Sequence, residues 1–197
     1  MSFEGIFGRD IAAVDFGTDR YLRCSKERTH ISRAVLDTYS NAVYLSVGKF
    51  HKGAYQSPAD VRYVAATSMS YDMLMSVYDV NTRNMFACRL FGFEESTRAM
   101  LGSYIDSLKK LKPNLEARLI GLQSKQSFVY LSRVAGLINT AGIKLVEVDL
   151  FGSETRHIAI DMKLGVSHDV LLENRLYRPG ELINMTTLEQ FERSLKH

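Results

Sequence analysis

Two apolar runs, residues 73–78 and 85–91, stand on either side of the short turn-rich piece DVNTRN at 79–84. This pattern limits the fold more than anything else in the chain. Runs of that length, bounded by Asn and Asp, read as two strands of a hairpin buried on both faces. Such a hairpin needs a layer on each side. Just before the first strand lies a cluster of small hydroxylic residues, Thr67, Ser68 and Ser70. Asp72 stands at the mouth of that strand, and Arg89 lies inside the second. A charge within a buried run is costly unless it is paired. Asp72 and Arg89 therefore suggest an ion pair beside a pocket lined by Ser68 and Ser70, although for this stretch taken alone the plainer reading is an edge strand with ordinary surface charges. The methionines around the hairpin, Met69, Met73, Met75 and Met85, read as core filler.

A chain of 197 residues is long enough to supply the covering layers within one domain, and its 46% hydrophobic content is ordinary for a globular protein. The formal net charge of +3 is too small to argue for a nucleic-acid partner. No apolar segment approaches the ~18 residues that a membrane helix needs, so no membrane insertion is expected. The opening MSFEGIFGRD has no signal-peptide pattern, and the expected location is the cytoplasm. Cys24 and Cys88 cannot form a disulfide framework. The histidines at 30, 51, 157, 168 and 197 are scattered, with none at ligand spacing, so neither a metal nor another cofactor is expected. Walker loop, dinucleotide fingerprint, nucleophile elbow and zinc-protease helix are all missing from the sequence.

Read in order, the pattern describes an α+β chain. In residues 1–42 the piece at 13–19 resembles a phosphate loop of actin-like ATPases, but 17–19 reads more simply as a turn. Ile31, Val35, Leu36 and Tyr39 suit one face of a short helix begun near Thr29. Residues 43–49 alternate as a strand, and 48–58 read as loop. After the hairpin, Met100, Leu101, Tyr104, Ile105 and Leu108 form a helical stripe. Its lysines at 109, 110 and 112 favour the negative C-terminal end, and Pro113 ends it. A strand follows at 115–121. A second helix at 124–140 carries Phe128, Leu131, Val134, Ala135 and Ile138 inward, with Gly142 as its stop. Strands at 143–150, 156–162 and 166–172 close the order. The tail from 174 ends in a short helix with the capping box Thr186-x-x-Glu189 and the stripe Leu188, Phe191, Leu195.

Several short pieces occur in an order that resembles a known family. They are Tyr44-Leu-Ser-Val-Gly48, Ser76-Val-Tyr-Asp79, Gly121, the run from Gly142 to Gly152 containing Asp149-Leu-Phe-Gly152, Arg156-His-Ile-Ala-Ile-Asp161 and Gly165. Together they resemble the chemoreceptor glutamine deamidase family, CheD, over a domain of residues 43–173. Outside it lie 1–42, an extension expected to join the domain or to bind a partner, and 174–197, the tail. The resemblance implies a mixed β-sandwich flanked by helices, shared with cysteine deamidases. It also implies a thiolate on one hairpin strand, a histidine on the next and a threonine upstream, which convert receptor glutamines to glutamate through a thioester.

Carried over residue by residue, that machinery is replaced. The nucleophile position falls on Asp72 and the histidine position on Arg89, 17 residues later as in the family. The threonine position falls on Ala66, with Thr67 next to it. Cys88 neighbours the histidine position, so in a strand it faces the opposite side, as a core thiol. A carboxylate is a poor nucleophile toward an amide, and arginine stays protonated and cannot act as a base. The expectation is a catalytically degenerate CheD-like protein that binds a chemoreceptor cytoplasmic domain or a CheC-type phosphatase. The alternatives are a glutamine deamidase working through Thr67, Ser70 or Asp72, and a structural protein unrelated to chemotaxis.

Overall fold

The structure, a computed structural model, describes residues 22–24, 28–38, 42–91, 95–108, 113–122, 128–150 and 155–172. Eleven strands and three helices are formed there. In chain order they are β1 (Leu22–Cys24), β2 (Thr29–Ser32), α1 (Arg33–Thr38), β3 (Ala42–Tyr44), β4 (Phe50–Ala54), β5 (Tyr63–Met69), β6 (Met73–Asp79) and β7 (Asn84–Leu90). Then come α2 (Glu95–Leu108), β8 (Leu115–Gly121), α3 (Phe128–Thr140), β9 (Lys144–Leu150), β10 (Arg156–Asp161) and β11 (Val166–Leu171).

The hairpin is β6–β7, antiparallel from Met73↔Leu90 to Asp79↔Asn84. Its turn is held by Asp79, whose carboxylate accepts from the Thr82 hydroxyl (2.5 Å) and from the amides of Asn81 (3.2 Å) and Asn114 (2.9 Å). Arg83 takes the left-handed conformation (φ 55°) that closes the turn. Successive side chains then point to opposite sides. Met73, Met75, Val77, Phe86, Cys88 and Leu90 enter one core, while Leu74, Tyr78, Met85 and Ala87 enter another. Both faces of the hairpin are buried, as its apolar runs require.

Two sheets are built around it. The larger has six strands in the order β1-β9-β8-β6-β7-β4, and the smaller has five in the order β2-β11-β10-β5-β3. Leu74, Tyr78, Ala87 and Ile120 of the larger sheet pack with Val64, Ala66, Ile158 and Ile160 of the smaller, so the sheets face each other across one core. On its other face the larger sheet packs against Leu101 and Tyr104 of α2 and Leu131, Val134, Ala135 and Ile138 of α3. The smaller sheet's outer face, through Tyr63, Ala65, Ala159 and Val170, packs against Leu36 of α1. The layers therefore run helix, sheet, sheet, helix, an α+β arrangement with antiparallel and parallel pairs in both sheets. The parallel pair β8–β9 is joined through α3, which ends at Gly142 (φ 66°), where the Ile143 amide bonds back to Ile138 O (3.1 Å).

Several elements differ from the sequence reading. The helix expected from Thr29 is strand β2 followed by α1, because Ile31 belongs to a parallel pair with β11. The strand expected at 43–49 is shortened to β3, and the stretch expected to be loop at 48–58 contains β4, paired with β7 from Phe50↔Cys88 to Ala54↔Asn84. Strand β5 was not expected as a strand at all. The segment 22–38 supplies members to both sheets, β1 beside β9 and β2 beside β11. The turn expected at 17–19, the lysines at 109–112 and the C-terminal helix lie outside the described residues.

Candidate functional site

The side chains picked out in the sequence meet at one end of the two sheets. Strand β5 is irregular there: Arg156 stands opposite Met69, but Ile158 stands opposite Ala66. Thr67 and Ser68 thus oppose His157 alone, which is a β-bulge, and Ser68 adopts φ 56°. The bulge takes the Ser68 amide off the ladder, and His157 Nδ1 accepts its proton at 3.1 Å. It also turns the carbonyls of Thr67 and Ser68 out of the ladder. A carbonyl taken off the ladder must find another donor, in the protein or in water.

Arg89 supplies it. Its position in β7 is one of those that face the smaller sheet. Nη1 donates to Thr67 O (2.9 Å) and Leu45 O (3.2 Å), Nη2 to Ser68 O (3.2 Å), and Nε to Asp72 Oδ2. The Asp72–Arg89 pair expected from the sequence is therefore formed, with side chains only 7% and 11% exposed. Asp72 Oδ1 accepts from the Ser70 amide (3.3 Å), and the Asp72 carbonyl accepts from Leu122 N (2.8 Å). Beside that carbonyl Gly121 has φ 115°, and a Cβ there would collide with the Asp72 oxygen.

The other expected residues are placed less uniformly. Ala66 is fully buried between the sheets, Thr67 is half-buried, and Ser68 is exposed on the bulge. Ser70 Oγ lies 3.4 Å from Thr155 Oγ1. Cys88 points away into the helix-side core, as its parity demands, and burial pushes its thiol up to about 12. His157, Thr155 and Leu45 belong to the same end but were not among the site residues expected from the sequence. They reach it only through the β5–β10 pairing and the β3–β4 turn.

The arrangement is rich in clasps. Each nitrogen of the Arg89 guanidinium is engaged, and both carboxylate oxygens of Asp72 are acceptors, Oδ1 from the Ser70 amide of its own loop and Oδ2 from Arg89 of β7. This holds three chain segments together and leaves the Asp72 carboxylate little freedom to attack. Among the described residues, no group of His, Cys, Asp and Glu is placed to hold a metal ion.

A second polar cluster lies between the sheets, further toward β1. Arg28 donates from Nε to Glu147 (2.5 Å) and from Nη1 to Asp149 (2.6 Å) and Asp169 (3.1 Å). Arg156 Nε meets the other oxygen of Asp149 (3.0 Å), and Ser167 Oγ donates to Glu147 (2.5 Å). Arg118 Nε lies 3.5 Å from Glu147, and Arg118 Nη2 donates to Gly165 O. Burial disfavours the Arg28 charge, but the carboxylates of Glu147, Asp149 and Asp169 more than offset this and raise its pKa.

Compared with known proteins, the chain matches no family model and no curated protein. No described helix is long and apolar enough to cross a membrane.

Proposed function

We propose that this chain is a CheD-like, chemotaxis-associated protein that keeps the frame of a glutamine deamidase without its chemistry. It acts by binding a chemoreceptor's cytoplasmic domain or a CheC-type phosphatase. The observation that carries the reading is the Asp72–Arg89 pair, closed across the β6–β7 hairpin with a separation of 17 residues. These are the positions that the resemblance assigns to a thiolate and an imidazolium. A carboxylate–guanidinium pair preserves that polarity while lacking a usable nucleophile and base. A two-sheet sandwich with helices outside is also what the resemblance calls for.

The test is incubation with a receptor cytoplasmic fragment, followed by mass spectrometry of its glutamines. Stoichiometric binding with unchanged glutamines is the expected result. A gain of about one dalton per site, accumulating catalytically, would instead establish a deamidase working through Thr67, Ser70 or Asp72. Neither binding nor mass change, repeated with a CheC-type phosphatase, would leave a protein with no part in chemotaxis.

A further inference from the structure

Two buried polar groups stand side by side between the sheets without meeting each other. Ser76 of β6 is paired across the ladder with Arg118 of β8. Leu74 and Tyr78, two residues to either side of Ser76, enter the core between the sheets, and so does Ile120, two residues after Arg118. By strand alternation Ser76 and Arg118 share that face, where directly opposite side chains start about 5 Å apart. Ser76 is fully buried and Arg118 is 6% exposed. Yet the Ser76 hydroxyl and Nη1 of Arg118 are both buried with no hydrogen-bond partner among the described residues.

The rest of the Arg118 fork is engaged. Nη2 donates to Gly165 O and to Glu116 (3.3 Å), and Nε lies 3.5 Å from Glu147. Nη1 is the edge left over. A buried hydroxyl and a buried guanidinium N–H each lose their hydration, so both call for a partner. Ser76 finds none on its other side, because its β7 partner is Ala87, which offers only a methyl. Two small side chains in adjacent places leave room beside the guanidinium. Strands β6 and β8 are both interior to their sheet, so neither group lies at an open sheet edge.

Charge decides what fits there. The carboxylates of Glu147 and Glu116 already stand beside the Arg118 guanidinium, and Glu147 is itself buried. An added anion would be repelled by Glu147 in a medium of low dielectric, and an added cation would meet Arg118. The occupant must be neutral, small, and able to accept from Nη1 while sharing a hydrogen bond with a hydroxyl. Water meets all of these conditions, and two polar partners suffice to hold it.

We infer that an enclosed water molecule binds between Ser76 Oγ and Arg118 Nη1. It accepts a hydrogen bond from Nη1, shares a second with the hydroxyl, and so joins β6 to the charge network of β8 and β9. This site is independent of the chemotaxis reading.

Its test is a pair of crystal structures of the full-length chain, one from halide-free and one from bromide-containing solution. The expected result is one peak of water density within hydrogen-bond distance of both atoms in each, with no anomalous bromine signal. In solution, oxygen-17 magnetic relaxation dispersion should find fewer long-lived waters in Ser76→Val, whose methyls take the water's place, than in the parent. A bromine signal at this position would make it an anion site and overturn the inference. So would a direct Ser76–Arg118 hydrogen bond, an empty space between the two groups, or equal water counts in a folded Ser76→Val chain. If Ser76→Val does not fold, the density in the parent decides.

Discussion

Arg89 is a cation whose partners are mostly backbone. It meets one carboxylate and three carbonyls, so its loss strands more than an ion pair. Breaking a buried pair from one side is costly, and we expect Arg89→Ala to lower unfolding free energy by ~3 kcal/mol. A loss below ~1 kcal/mol in chemical denaturation would show the pair behaving as if solvent-exposed. The double change Asp72→Cys with Arg89→His restores the two residue types that the family resemblance implies. If only these were lost, a rapidly alkylated, low-pKa thiol or weak amidase activity should appear. The parent chain supplies the contrast, because its Cys88 is 1% exposed with a thiol pushed up by burial. The charged pair was legible in the sequence because two opposite charges in neighbouring apolar runs have few ways to be tolerated. Its other partners were not. Thr67 and Ser68 contribute carbonyls, and no side-chain pattern announces which carbonyls a bulge will turn out of the ladder.

Among the elements, legibility followed burial symmetry. Strands β6 and β7 are apolar on both sides, β8 and β9 alternate or carry long apolar runs, and each stood where its pattern placed it. Strand β5 was hidden by its small residues and by the bulge, which shifts the alternation after Ala66. Strand β4 is a sheet edge with Lys52 and Gly53, a composition that blunts edges and reads as loop. The helix expected at Thr29 had another cause. Ile31 of β2 and Val35 and Leu36 of α1 feed one cluster, so a strand-to-helix junction imitated helical spacing. The β2–β11 edge of the smaller sheet carries a pH dependence. His168 on β11 shares a hydrogen bond with Thr29 of β2 (2.7 Å), packs edge-on to Tyr63, and keeps Nε2 buried with no partner among the described residues. Burial lowers its pKa below the ordinary 6.5, helped by Arg62 and opposed by Asp161 and Asp169. The unfolded chain therefore binds more protons between the two values. Stability is intact above about pH 6.5 and falls as pH drops through the lowered folded value. His51, also lowered by burial, acts in the same direction. We expect His168→Gln to remove part of the loss in melting temperature between pH 7 and pH 5, and His51→Gln a separate part. Equal pH profiles for parent and His168→Gln would refute this assignment.

For the whole molecule, the charge network between the sheets ties the earliest described strands to the latest. Arg28 reaches Glu147, Asp149 and Asp169, across separations of 119, 121 and 141 residues. Arg28→Met leaves two buried carboxylates short of a cation, and a loss of about 3 kcal/mol is expected in equilibrium unfolding. A loss under 1 kcal/mol would mean that Arg118 and Arg156 compensate. The pairing also sets an order in time. During synthesis β1 and β2 leave the ribosome before β3 to β11, yet β1 waits for β9 and β2 for β11. Of the described strands, the two translated earliest are thus among the last able to pair, and the β6–β7 hairpin is made while Arg28 still lacks Glu147, Asp149 and Asp169. Contacts closed so late are absent from the rate-limiting step, so Arg28→Met should quicken unfolding and leave the refolding rate nearly unchanged. Until β9 is made the larger sheet presents an unfinished inner edge, and until β11 is made the smaller one does, and that interval is when the nascent chain most needs shielding from other chains.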